Sequence, residues 1–347
     1  MRILCTGGTG LIGTALFQWI RRTHPSAEIW MYSRRVGGDI LDFDYLQSAI
    51  NGKDVVYHLA ANSHVDFSIT GPIEEKQNYV DVNVKGTLNV LEACRNAGAK
   101  MVHVSTSETY GSNQNPGVPM TEDHPILAQA GTYAVTKAAA DLLCRMAHLT
   151  TGQDVVIVRP FNQVGVHQSS EKLFPRFIGQ ALEGSPLTIY GDGEQLRDYV
   201  HVQDTAHALW LAKDLEAGTI VNVGTERSYS VNEVAEMIIR ATGERTMATH
   251  IHTDARPAEV RELNGSYRKL NELTGWEPTM FLPDIIGDMI GWYAANGSVS
   301  PPVRGTYAPM CQQHELEFET EPWVAAVVDG VKIGGTLPYG GYKGYED

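Results

Sequence analysis

Only four cysteines, Cys5, Cys94, Cys144 and Cys311, occur among 347 residues, and no two are close in sequence. That excludes a disulfide-stapled framework and a zinc ribbon, and it suits a reducing, cytoplasmic compartment. Basic charge is in deficit: 27 Lys and Arg against 41 Asp and Glu leave a net charge of −14. A chain-wide basic surface for nucleic acid is thereby ruled out. No apolar run reaches the roughly 18 residues of a membrane-spanning helix, so no membrane partner is expected. The N-terminus opens directly into a strand pattern, so no signal peptide is expected. Internal repeats and low-complexity tracts are absent as well. What remains, 43% hydrophobic and 20% charged, is the composition of a folded globular protein.

Glycine, by contrast, is plentiful at 34 residues. Arg2 to Thr6 is a short apolar run that stops at Gly7, followed by Gly10 and Gly13 and then a helical pattern. A strand, a Gly-x-x-Gly-x-x-Gly loop and a helix form a cradle for a dinucleotide. The first glycine permits the tight turn, the second lets backbone amides approach a pyrophosphate, and the third lets helix and strand pack closely. The helix N-terminus then offers free N–H groups to the anion. The next strand, 28–32, ends at Ser33-Arg34-Arg35, with no carboxylate to accept from a ribose 2′-hydroxyl. Two guanidiniums there suit a 2′-phosphate, so the cofactor expected is NADP rather than NAD.

Strand and helix patterns alternate thereafter: strands at 54–60, 101–105 and 155–158, helices at 86–96 and 133–149. Such alternation means βαβ units and a mostly parallel sheet with helices on both faces. Beyond Arg159 the pattern turns irregular, with later helices at 231–242 and 284–294. The expected organisation is an α/β, Rossmann-like doubly wound sheet with a smaller mixed α/β substrate-binding lobe. Residues 1–160 are assigned mainly to the dinucleotide-binding domain and 161–296 mainly to the lobe, interleaved with the last sheet strands. Residues 297–347 are a C-terminal extension with a β-hairpin turning at Asp329-Gly330.

Tyr133 and Lys137 stand at i and i+4 on one helix face. A nearby ammonium favours tyrosinate, so Lys137 is expected to lower the phenol pKa, letting Tyr133 shuttle a proton to or from a sugar hydroxyl or ketone. Thr106, Ser107 and Glu108 follow the strand ending at Ser105, and in extended geometry Thr106 and Glu108 point to one side. A hydroxyl and a carboxylate at the carboxyl end of a central strand lie where ligands bind in such sheets. His58, His64 and His103 lie in or beside strands and are expected to be structural; no metal site is expected. Cys311 and His314 are closely spaced, with no second pair to complete a site.

These residues resemble the extended short-chain dehydrogenase/reductases that act on nucleotide sugars. The similarity runs through 6–13, His58 to Ala61, Asn83 to Thr87, the Thr106 segment, Tyr133/Lys137, Arg159 to Asn162 and Tyr190 to Gly193. It continues through Arg197 to Val202, Asn222 to Gly224 and Gly275 to Pro278, covering about 1–296. The resemblance implies cofactor contacts from Gly7, Gly10, Leu11, Ile12, Gly13, Ser33, Arg34, Arg35, Asp39, Ile40, Leu59, Ala60, Ala61, Tyr133, Lys137 and Pro160. It implies substrate contacts from His64, Asn162, Lys172, Leu173, Tyr190, Arg197, Asn222 and Arg256. The substrate is then a nucleotide-diphosphate sugar, and the helices at 87–96 and 133–149 imply a homodimeric four-helix bundle.

Within that family the resemblance points to a 4,6-dehydratase, with Thr106, Ser107, Glu108, Tyr133 and Lys137 catalytic. Oxidation at C4 acidifies the C5 proton, Glu108 removes it, water leaves from C6, and hydride returns to C6. Thr-Ser-Glu is similar to the GDP-mannose 4,6-dehydratases, which share an Arg-Arg after the second strand. Thymidine-sugar dehydratases carry Asp where Ser107 stands, although Glu171 to Pro175 resembles that branch. A 4-epimerase is the first alternative and a UDP-glucuronate decarboxylase-like enzyme or an unusual dehydratase the second. A non-catalytic NADP sensor would have no need of Thr106, Glu108, Tyr133 and Lys137 together.

Overall fold

The structure is a computed structural model that describes residues 1–243, 250–254 and 259–296, together with the backbone of 324–328 and 331–334. The first half alternates strictly: β1 (Arg2–Thr6), α1 (Leu11–Thr23), β2 (Glu28–Tyr32), α2 (Phe43–Ile50) and β3 (Val55–His58). Two short helices, α3 (Val65–Thr70) and α4 (Ile73–Tyr79), lead through a π-helical turn, Val80–Lys85, into α5 (Gly86–Ala97). Then come β4 (Lys100–Val104), α6 (Gly131–Thr151) and β5 (Val155–Pro160).

The second half mixes short elements: β6 (Asn162–Val164), α7 (Leu173–Leu182), β7 (Leu187–Tyr190), β8 (Leu196–His201), α8 (Val202–Ala212) and β9 (Ile220–Val223). After these follow β10 (Ser228–Ser230), α9 (Val231–Thr242), β11 (His250–Thr253), β12 (Glu262–Leu263), α10 (Arg268–Thr274) and α11 (Leu282–Asn296). Two further strands, β13 (Val324–Val328) and β14 (Val331–Gly334), pair antiparallel, and β14 lies parallel to β2 at the sheet edge. The turn expected at Asp329-Gly330 lies outside the described residues, as do Cys311 and His314.

The central sheet runs β2-β1-β3-β4-β5-β9, all parallel, and order reverses at β1. Such a reversal opens a crevice at the carboxyl ends of β1 and β3, where doubly wound sheets bind ligands. Buried strands supply near-continuous apolar runs, as parallel sheets covered on both faces require. One face packs Ile3, Tyr57, Val102 and Val156 beneath α1 and α8; the other packs Leu4, Val56, Met101 and Ile157 beneath α2 and α5. A third core, built from Phe174, Phe177, Val234, Ile238, Ile285 and Met289, joins α7, α9 and α11 into the lobe. Val200, Leu263 and Trp276, from the second half of the chain, pack into the sheet's core.

Candidate active site

The glycine loop is shaped for close approach. Gly7 has φ +68°, and a Cβ there would lie 2.6 Å from the Ala60 backbone nitrogen, so only glycine fits between β1 and the end of β3. A Cβ on Gly13 would meet Gly8 at 2.6 Å, which lets α1 sit against the loop. Gly10 caps α1 without any side-chain bond, and the first turn carries no acidic residue. Thr14 N–H is the first to bond back, to the Gly10 carbonyl at 2.9 Å. The N–H groups of Leu11, Ile12 and Gly13 therefore have no intrahelical acceptor. A bare, positive helix end beside a cleared glycine floor fits a dinucleotide pyrophosphate.

Around this cradle, Thr9 and Ser33 join hydroxyls at 3.0 Å, and Arg34 and Arg35 stand exposed on a 3-10 turn. The Asp39 carboxylate accepts from Leu41 N–H at 2.9 Å, and Ile40 is buried against the second core. Leu59, Ala60 and Ala61 leave the end of β3 half-buried, while Pro160 is buried at the end of β5.

Residues Ser107–Thr109 form a 3-10 turn rather than the extended segment expected from sequence. Thr106 caps that turn, its hydroxyl accepting from Glu108 N–H at 3.2 Å. The Thr106 side chain also favours the ionised form of the Tyr133 phenol. Thr106, Ser107 and Tyr133 are buried, and Glu108 is half-buried. One turn along α6, the buried Lys137 ammonium donates to the Val104 carbonyl at 2.8 Å.

Burial pushes the Tyr133 phenol up, opposed by Thr106 and reinforced by the Glu108 charge. The expected lowering by Lys137 is not what this arrangement produces, because desolvation dominates and the ammonium is turned to the backbone of β4. Burial likewise lowers Lys137, to about 8, against the opposing pull of Asp141.

A pocket lies between sheet and lobe. Its wall includes His64, Glu108, Asn162, Lys172, Leu173, Tyr190 and Arg197. His64 Nε2 lies 3.1 Å from a Glu171 carboxylate oxygen, and Arg197 donates to Glu259 at 2.6 Å. Asn222 is placed elsewhere. It is fully buried, its amide donating to the Met120 carbonyl and accepting from the Tyr110 hydroxyl, so it braces β9 rather than facing the pocket. Arg256 lies outside the described residues.

Two pocket features and one buried cluster escaped the sequence reading. Arg176, one turn after Lys172 on α7, lies over the Tyr190 ring at 5.0 Å; its i+4 spacing from Lys172 was the available signal. Glu259, which pairs with Arg197, had no local signal. Asp141, four residues after Lys137, receives Arg159 Nε at 2.7 Å, and Arg159 in turn donates to the Tyr110 hydroxyl at 2.9 Å.

A parallel sheet with a reversal crevice, a glycine cradle for a pyrophosphate and a Thr-Tyr-Lys cluster beside a lobe pocket define a nucleotide-cofactor-dependent enzyme of the short-chain dehydrogenase/reductase type. The chain belongs to the NAD dependent epimerase/dehydratase family, whose profile matches residues 3–224. It is 32% identical to the dTDP-glucose 4,6-dehydratase of Actinoplanes sp. (strain SE50/110), over 86% of this chain and 99% of that one. Among solved structures it is similar to a double mutant of DesIV, a dTDP-glucose 4,6-dehydratase from Streptomyces venezuelae with NAD bound. That match has a TM-score of 0.78 and 30% identity, over 85% of this chain and 98% of the other. The UDP-glucuronic acid 4-epimerase from Bacillus cereus, in complex with UDP-glucuronic acid and NAD, is similar at TM-score 0.77 and 28% identity, over 84% and 98%. No helix among the described residues is long and apolar enough to cross a membrane.

Proposed function

We propose that this protein is an NADP-dependent nucleotide-sugar 4,6-dehydratase. The observation that carries the reading is Glu108, a half-buried pocket carboxylate whose charge is felt by the Tyr133 phenol. The dehydratase relatives support the reaction, while the similar solved structures hold NAD, so the NADP assignment rests on Arg34 and Arg35; the backbone alone does not separate dehydratase from epimerase, since structures of both match equally well.

The bound nicotinamide supplies a hydride acceptor and donor. Gly7, Gly10 and Gly13 with the first turn of α1 would hold its pyrophosphate, and Arg34 and Arg35 a 2′-phosphate. Tyr133, as the phenolate, takes the proton from the sugar C4 hydroxyl as C4 is oxidised, the Thr106 side chain favouring that anion against its burial. Lys137 ties α6, and with it Tyr133, to β4. Glu108 then removes the acidified C5 proton and passes it to the C6 hydroxyl, which leaves as water; C6 would then take back the hydride and C5 a solvent proton. Ser107, buried on the same turn, contributes no carboxylate, so Glu108 is the group on this turn that can both accept and return that proton. Lys172, Arg176 and Arg197 bring positive charge to the pocket for the diphosphate, consistent with an anionic ligand on an acidic chain.

The test is incubation with GDP-, UDP-, dTDP- and CDP-hexoses followed by mass spectrometry. Loss of one water is the expected outcome. Unchanged mass at a new retention time would favour the 4-epimerase reading, and loss of carbon dioxide from a glucuronate a decarboxylase.

A homodimer through α5 and α6 is part of the proposal. Val135, Leu142, Met146 and Leu149 form an exposed apolar stripe along α6, with Leu88 exposed on α5. Stripes of this kind on paired helices mark an interface. Cys5, Cys94 and Cys144 are free and buried, which suits a cytoplasmic setting.

A further inference from the structure

Glu108 stands on the shortest element of the site. The turn Ser107–Thr109 is held from within by one good backbone bond, Tyr110 N–H to the Ser107 carbonyl at 3.0 Å. Two others are long, Thr109 N–H to Thr106 at 3.4 Å and Gly111 N–H to Glu108 at 3.3 Å. A single 3-10 turn has poor hydrogen-bond geometry, so it does not fix a carboxylate by itself.

The residue that follows the turn reaches down into the core. Tyr110 is fully buried, and its hydroxyl meets Asn222 Oδ1 of β9 at 2.7 Å and Arg159 Nη1 of β5 at 2.9 Å. The Arg159 guanidinium also lies 4.9 Å from the centre of the Tyr110 ring. A guanidinium only donates, so the phenol accepts from Arg159 and gives its one proton to Asn222. The Asn222 amide nitrogen donates to the Met120 carbonyl at 3.0 Å, which leaves its oxygen for Tyr110. Arg159 extends the chain in the other direction, Nε donating to Asp141 Oδ2 at 2.7 Å. Asp141 lies on the buried face of α6, roughly two helical turns beyond Tyr133.

We propose that Tyr110 and Arg159 are positioning residues that set Glu108 against Tyr133, an inference that rests on the reading of Glu108 as the C5 base. The chain Asn222–Tyr110–Arg159–Asp141 joins the turn that carries Glu108 to the helix that carries Tyr133. The Lys137–Val104 bond ties α6 to the strand before the turn, and this chain reaches the turn itself. All four side chains are enclosed, so water does not compete for their bonds, and the loss of one link leaves its neighbours unmatched.

The test compares Tyr110→Phe with the parent enzyme. The substitution keeps the ring and deletes the hydroxyl that joins Arg159 to Asn222. Backbone amide exchange at Glu108 to Gly111 in the ligand-free protein should speed up about tenfold or more, while the amides of α6 and β4 keep the parent's rates. With whichever of the GDP-, UDP-, dTDP- and CDP-hexoses the parent turns over, kcat should fall about tenfold with KM little changed. Solvent exchange at C5 should fall further than nicotinamide reduction, because Glu108 shifts while Tyr133 stays. Arg159→Lys keeps a cation beside Asp141 and gives up the second donor arm. It should show the same pattern, and it keeps the test open if the Phe variant does not fold. Amide exchange needs no substrate, so a parent that exchanges no C5 proton would reject the dehydratase reading and leave the turn's amides to decide the positioning role. Unchanged exchange at the turn in a folded variant, or a rise shared equally by α6 and β4, would overturn the proposal. Equal losses of C5 exchange and nicotinamide reduction would overturn it as well.

Discussion

Lys137 Nζ and the Val104 carbonyl meet at 2.8 Å, tying the helix that carries Tyr133 to the strand that delivers Thr106. The bond explains why Lys137 is enclosed although a buried ammonium is costly: a backbone acceptor and the Asp141 carboxylate both compensate it. The ammonium's hydrogen bond is to the backbone, and Thr106 is the side chain that favours the ionised phenol.

Replacing Glu108 by Gln keeps the size of the side chain and removes the base. Dehydration and solvent-proton exchange at C5 should fall by about 10²-fold or more, while reduction of the bound nicotinamide by substrate persists. Absorbance of reduced cofactor together with product mass checks this. Full dehydration by Glu108→Gln would reject the carboxylate as the C5 base.

Arg34 and Arg35 are exposed beside Ser33, where a 2′-phosphate is expected. The nucleotide released on denaturing the purified protein should be NADP, identified by its mass. Changing both arginines to Ala should weaken NADP by tenfold or more, about 1.4 kcal/mol, with little effect on NAD. Equal effects on both cofactors would remove the 2′-phosphate assignment.

Asp198 is fully buried, accepting from Thr225 N–H at 2.8 Å, Gly265 N–H at 3.1 Å and the Thr225 hydroxyl at 2.6 Å. Burial pushes it up to about 7 despite these bonds. Its folded pKa lies above the unfolded value near 4, so its contribution is fully present below about pH 4 and is lost as pH rises through about 7. Asn fits the same site, donating to the Thr225 hydroxyl and accepting from both N–H groups. Asp198→Asn should therefore melt about 2 °C or more above the parent at pH 8, with the gap closing toward pH 4.5. A gap independent of pH in a thermal scan would contradict this.

The α6 stripe predicts association. Leu142, 52% exposed on α6, is a suitable probe. Leu142→Asp should convert a dimer to a monomer by light scattering, with the monomer's secondary structure intact. A monomeric parent protein would show that the stripe serves another purpose.

Much of this protein is legible from local pattern. Glycines 7, 10 and 13, the strand that ends at Thr6 and the i, i+4 pairing of Tyr133 with Lys137 all depend on neighbours a few residues away, where backbone geometry leaves few choices. The helix at 231–242 carries its own start signal, a Ser230–Glu233 capping box, and forms over the expected residues. Only the tertiary structure decided the rest. Arg197 meets Glu259 and His64 meets Glu171 across 62 and 107 residues, separations at which sequence pattern carries no information. Asn222 matches a ligand-binding motif yet is turned inward by Tyr110 and Met120, because strand pairing places it beneath the sheet's edge. Most telling is Tyr133: spacing puts an ammonium near it, but the enclosure created by packing governs the phenol. Desolvation is a property of the folded surroundings, and no run of residues encodes it locally.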